Sequence, residues 1–205
     1  MTTGKERILI SDADGVLVDW GSAFNEFMAE KGFPCLPNMD AEYNLALRHG
    51  LLPEVVLPLM RDFVESPAIA NLKPYADSVK YVKKLAELGF RFIVVTSIGS
   101  SEVSHHYRST NLNALFGDVF NEINCIETGA SKAHILERWA GTGYFWFEDH
   151  MRQAEAGYEV GLKSVLLNHP YNEKYLTDLF PRIVGNNPWE QVYHMVCKEY
   201  GIQIE

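Results

Sequence analysis

The stretch Ile8 to Trp20, ILISDADGVLVDW, decides how the rest of the chain reads. Ile8, Leu9 and Ile10 predict a short buried strand, which ends where Ser11, Asp12, Ala13, Asp14 and Gly15 begin. Strand side chains alternate faces, so two residues apart point the same way; Asp12 and Asp14 are expected to converge just past the strand, with Gly15 permitting a sharp turn. Two carboxylates held that close resist joint ionisation unless a cation neutralises them, and carboxylate and carbonyl oxygens select Mg²⁺. An Asp-x-Asp-Gly run is also an ordinary solvated turn, so the context must choose between the readings.

Downstream, Ser22 is a candidate N-cap, and Ala23, Phe24, Phe27 and Met28 form an apolar stripe at helical spacing. Pro34, Pro37 and Asn38 break the chain, and helical patterns about 40–48 and 53–65 follow with no strand pattern between them. Residues 21–72 therefore read as a small helical insertion. From Pro74 the pattern changes to helix and buried strand in alternation: a helix through Val79, Val82, Leu85 and Leu88, a strand Phe90 to Val95, a helix about 102–111, and a strand near 119–123. A helix about 132–139, a strand 144–147, a short helix about 152–156, a strand 164–167 and a last helix about 188–200 complete it. That rhythm predicts an α/β fold, an open parallel sheet with helices on both faces, formed by 1–20 and 73–205. Its site is expected beyond the carboxyl ends of the strands. The segment 171–187, with Pro181, Gly185 and paired asparagines, reads as a surface excursion.

Composition narrows the chemistry. The 205 residues are 47% hydrophobic, enough for one sizeable core. A net charge of −9 argues against a nucleic acid polymer as partner, because Lys and Arg must neutralise phosphates there. No apolar run approaches a bilayer's thickness, and MTTGKER lacks the apolar segment of a signal peptide, so no membrane partner and a cytoplasmic location are expected. Cys35, Cys125 and Cys197 are scattered and read as buried thiols, and the seven histidines show no zinc-ligand spacing. The sequence leaves homo-oligomer formation open.

Four stretches place polar groups where such a sheet wants them. Asp12 and Asp14 end the first strand, Thr96 and Ser97 end the second, Lys132 opens a helix after the turn 128–131, and Glu148 and Asp149 end a later strand. A carboxylate nucleophile, a carboxyl for proton transfer, a hydroxyl donor, a fixed cation and metal-binding acids are the parts phosphoryl transfer needs. Taken singly, Thr96 could merely end a strand, Lys132 could be exposed, and Glu148 with Asp149 could cap a helix. The four together, in order, resemble the haloacid dehalogenase-like superfamily of phosphohydrolases: DADG at 12–15, VVTS at 94–97, Lys132, and FWFED at 145–149.

The resemblance implies catalytic roles for Asp12, Asp14, Thr96 and Lys132. Asp12 would attack phosphorus to form an aspartyl phosphate, Asp14 would protonate the leaving alcohol and then activate water, Thr96 would bond a phosphoryl oxygen, and Lys132 would offset its charge. Asp12, the backbone carbonyl of Asp14 and Asp149 would hold Mg²⁺, with Glu148 in or beside that set. It further implies that 21–72 is a cap closing over a small phosphorylated metabolite. Asp14 favours phosphate-ester chemistry, since superfamily members that cleave carbon–halogen bonds need no acid there.

Within the superfamily, DADGVLVDW is most similar to the opening motif of the 5'(3')-deoxyribonucleotidases and related 5'-nucleotidases, and LLNHPYN at 166–172 is similar to a stretch in bacterial relatives. That implies a nucleoside monophosphate substrate, with Trp20 stacking on the base and Phe24 and Ser97 beside it. Phe27 reads as packing. The alternatives are a sugar-phosphate phosphatase or phosphomutase using the same intermediate, and a non-catalytic phosphate-binding or signalling module.

Overall fold

The computed structural model describes residues 7–204; the N-terminal segment read above as lacking an apolar run lies largely outside them. Six strands form one sheet in the order β3-β2-β1-β4-β5-β6, every neighbouring pair parallel. In chain order these are β1 Ile8–Ser11, β2 Arg91–Thr96, β3 Phe120–Cys125, β4 Phe145–Glu148, β5 Lys163–Leu167 and β6 Arg182–Ile183. The helices are α1 Trp20–Glu30, α2 Leu45–His49, α3 Pro53–Val64, α4 Ser78–Glu87, α5 Glu102–Phe116, α6 Ala133–Leu136, α7 Met151–Glu159 and α8 Pro188–Glu199.

The alternation of strand side chains splits the core in two. Leu9, Phe92, Val94, Phe145, Phe147, Val165 and Leu167 share one cluster with Leu85 of α4, Leu112 of α5 and Trp189 of α8. Ile8, Ile10, Ile93, Val95 and Trp146 face the other way and pack with Leu136 of α6 and Leu162. Strands apolar on both sides are what a parallel sheet covered by helices requires, and each fully buried large side chain contributes about 2 kcal/mol.

Several boundaries differ from the sequence reading. The segment 171–187 is not wholly an excursion, because β6 pairs there with β5 through Leu166↔Arg182 and Leu167↔Ile183. At two residues, β6 is too short for a periodicity signal. The first cap residue is Asp19 rather than Ser22: its carboxylate accepts from the Ser22 amide at 3.0 Å, so α1 begins at Trp20. The helix expected over 40–48 is confined to Leu45–His49, where Asn44 accepts from the Ala46 and Leu47 amides. Of the three cysteines only Cys197 is buried; Cys35 and Cys125 are half-buried.

Between β1 and β2 the described chain holds α1, α2, α3 and a 3-10 turn at Pro67–Asn71. The two connections into this segment run side by side. Val18 bridges Pro74, Asp19 N donates to Lys73 O at 2.9 Å, and Tyr75 N donates to Leu17 O at 2.9 Å. Asp77 then ties the start of α4 to the start of α8 by accepting from the Trp189 and Glu190 amides, at 3.0 and 2.9 Å, so a residue 112 positions away caps α8. No helix among the described residues is long and apolar enough to cross a membrane.

Candidate active site

Strand order reverses direction at β1, which lies between β2 and β4, and a crevice is expected outside the carboxyl ends at such a point. Asp12 follows the last residue of β1, Thr96 is the last of β2 and Glu148 the last of β4. Adjacent parallel strands therefore bring their ends together without help from the loops. The Asp12 amide continues the ladder, donating to Phe147 O at 2.9 Å.

Lys132 sits at the centre. Its ammonium lies 2.7 Å from Asp12 Oδ2 and 2.8 Å from Glu148 Oε2, and all three side chains are buried. The turn that delivers it is fixed from two sides: its amide donates to Gln153 Oε1 at 2.9 Å, and the Gln153 amide and Ser97 hydroxyl both donate to Ala130 O. Glu148 has its other oxygen occupied by the Asp149 and His150 amides, at 3.1 and 2.9 Å. Both Glu148 oxygens are thus engaged, one by the Lys132 ammonium and the other by backbone amides.

Carboxylate oxygens of Asp12, Glu148 and Asp149 lie within 4.8 Å of one another, all buried. Burial, and then the Glu148 charge, push the Asp12 carboxyl up to about 8 against the opposing pull of Lys132. Burial raises Glu148 to about 7 and, with the Asp12 charge behind it, Asp149 to about 6. The Lys132 ammonium is held well above its ordinary range by the two carboxylates, which outweigh its desolvation. One ammonium is too little positive charge for three acids, and an all-oxygen, acid-rich set deficient in cation fits Mg²⁺.

Asp14 stands apart from that group. Its Oδ1 pairs with Arg108 Nη2 at 2.5 Å, and Thr96 Oγ1 lies 3.4 Å from its Oδ2. The sequence reading missed Arg108 because its neighbours on the buried face of α5 are Ser104 and Asn111, and polar residues at that spacing look solvated. It also missed the loop after β5 as a part of the site. There Tyr171 donates its hydroxyl to Asp149 Oδ2, Asn172 Nδ2 donates to Asp149 O at 2.7 Å, and His169 Nε2 donates to Gly15 O at 2.7 Å. In the sequence the NHPYN stretch carries only a local similarity. Gly15, at φ +73°, is required here, because a Cβ would sit 2.4 Å from Asp149 Oδ2.

Of the residues expected to contact substrate, Ser97 bonds the turn before Lys132. Trp20 is half-buried and stacks on Phe24 with centroids 4.8 Å apart. Phe24 is a correction: it is fully buried, enclosed by Trp20, Phe63, Phe27 and His49, and has no face left for a ligand. An aromatic at helical spacing served the interior of the insertion. The aromatic rings at the acid group are instead Tyr43, His150 and Tyr171, with Tyr43 centroids 5.1 Å from His150 and 5.5 Å from Tyr171. Together with Asp149 they line a small recess.

No family model matches the chain. A curated relative, an uncharacterized 32.4 kDa protein of Enterobacteria phage T4, is 28% identical over 147 residues, covering 63% of this chain. The chain spans about half the length, 48%, of that relative. Among solved structures, a haloacid dehalogenase-like family hydrolase from Streptococcus pneumoniae aligns with TM-score 0.66 at 15% identity, covering 93% of this chain and 99% of that one. A HAD family hydrolase from Deinococcus radiodurans, with bound phosphate and sodium, aligns at 0.61 and 16% identity, covering 97% of each chain. A HAD hydrolase from Bacillus subtilis bound to magnesium aligns at 0.62 and 15% identity, covering 94% and 99%. The six-stranded parallel sheet with helices around it is thus the fold of the haloacid dehalogenase-like hydrolases.

Proposed function

We propose that this protein is a Mg²⁺-dependent phosphomonoesterase working through an aspartyl phosphate on Asp12. The observation that carries the reading is the buried contact of Lys132 with Asp12 inside a three-carboxylate group. A structural ion pair would match charges; here acids exceed cations, and a divalent ion and a phosphoryl group would restore the balance.

Asp12 and Asp149 would hold Mg²⁺, with Glu148 behind them. When bound, the ion neutralises the nucleophile's surroundings and the charge on the transferring group. In the first step an Asp12 carboxylate oxygen attacks phosphorus as the bond from phosphorus to the leaving oxygen breaks. The Asp14 carboxyl gives that oxygen its proton and the alcohol departs. In the second step water attacks phosphorus, its proton passes to Asp14, and the bond to Asp12 breaks to release inorganic phosphate. Lys132 orients Asp12 and offsets phosphoryl charge, and Thr96, on the neighbouring strand end, supplies a hydroxyl donor.

We assign residues 21–72 as a cap over this site and a nucleoside monophosphate as substrate. The aromatic walls Tyr43, His150 and Tyr171 support a planar ring above the phosphate position. The opening-motif similarity supports the same choice. Phosphate release from nucleoside monophosphates and sugar phosphates, assayed together with Mg²⁺, tests both levels. Turnover of sugar phosphates alone would overturn the nucleotide, and full activity of Asp12→Asn would overturn the nucleophile.

A further inference from the structure

Arg108 is fully buried, yet its Nε and Nη1 have no hydrogen-bond partner among the described residues. A buried guanidinium is costly unless compensated, and the compensation here is Asp14 at 2.5 Å. Asn111, one turn further along α5, donates to Leu72 O at 2.9 Å, which fixes the helix against the end of the helical insertion. The cation is therefore rigidly mounted, while the Asp14 side chain keeps 26% of its surface open. The arrangement is one-sided: a fixed, fully enclosed cation holds an accessible carboxylate. If Asp14 swung away, Arg108 would be left buried and unpaired.

We propose that Arg108 is the positioning residue of the proton-transfer step, holding Asp14 beside Thr96 and facing the leaving group. The proposal rests on the phosphomonoesterase reading above. Arg108 touches neither substrate nor metal oxygens; it acts through Asp14 alone. Its free donors are enclosed and unreachable for a ligand, which excludes a direct binding role.

The test compares two leaving groups in the 205-residue wild-type protein, Arg108→Met and Arg108→Lys, each with Mg²⁺. Nitrophenolate departs from 4-nitrophenyl phosphate without a proton, whereas glycerol phosphate needs one. With enzyme in excess, Arg108→Met is expected to release nitrophenolate in the first turnover within about 3-fold of wild type. Release of glycerol should slow about 100-fold, the usual contribution of general acid catalysis. Arg108→Lys should recover at least about 10-fold of that loss, and it carries the comparison if Arg108→Met does not fold. Equal losses on both substrates, or a wild-type rate on glycerol phosphate, would overturn the proposal. If wild-type protein releases neither leaving group and also no phosphate from nucleoside monophosphates or sugar phosphates, the phosphomonoesterase reading fails instead. A crystal structure of the Arg108 variant then decides, since an Asp14 side chain unmoved beside Thr96 overturns the positioning role and a displaced one supports it.

Discussion

The Tyr171 hydroxyl donates a hydrogen bond to Asp149 Oδ2, joining the loop after β5 to the acid group at the end of β4. Partners of this kind orient a metal-binding carboxylate, and their loss costs about 10-fold to 100-fold in metal affinity. Tyr171→Phe is expected to weaken Mg²⁺ binding by about 10-fold, read by titration calorimetry, with the fold unchanged by circular dichroism. Unchanged affinity would show that Asp149 needs no such support.

Stability and metal binding should be linked through pH. Asp12, Glu148 and Asp149 have carboxyls raised to about 8, 7 and 6, above the ordinary carboxylate range they regain on unfolding. The folded protein therefore keeps protons that the unfolded chain has lost, so their stabilisation is complete below about pH 4 and is lost as pH rises towards 8. Metal-free protein should show a falling Tm across that window. The Tm gain on adding Mg²⁺ should be larger at pH 8 than at pH 5, as checked by scanning fluorimetry.

Lys132→Met removes the ammonium that contacts Asp12 and Glu148 and leaves both carboxyls buried. Breaking a buried pair from one side costs about 3 kcal/mol or more. At pH 8 a urea titration should show a loss of that size, with the proposed phosphatase activity abolished. At pH 5 the loss should shrink, because the orphaned carboxyls can take up protons.

Gly157→Ala tests the seat of α7 on the sheet. A Cβ there would meet Trp146 Cδ1 at 2.2 Å and Ser164 Oγ at 3.0 Å, and Trp146 is fixed by its bond to Gln153 O. Overpacking of this kind costs about 2 kcal/mol. The loss should appear as a lower urea midpoint with an unchanged slope.

Much of the architecture was legible because parallel strands buried on both faces leave uninterrupted apolar runs. Phe92 to Val95 and Phe145 to Phe147 are such runs, and acids or hydroxyls at their ends mark the carboxyl edge. β6, at two residues, fell below the length at which periodicity carries information, and α2 was expected over 40–48 but occupies only Leu45–His49. Phe24 was misread because a helical aromatic stripe looks the same whether it lines a pocket or fills an interior. Arg108 escaped for the opposite reason: a charged residue in a polar helix face is ordinarily solvated, and only the closing of α5 against the helical insertion encloses it.

By itself the amino-acid order determined the alternation of helix and strand, and with it which acidic and hydroxyl groups stand at strand ends. It could do so because strand periodicity and burial are local properties of the chain. Tertiary structure alone decided that Lys132 bridges Asp12 and Glu148, that Arg108 pairs with Asp14 across 94 positions, and that Tyr171 reaches Asp149. Those contacts depend on strand order and loop closure, which bring remote side chains within bonding distance and leave no periodic trace in the sequence.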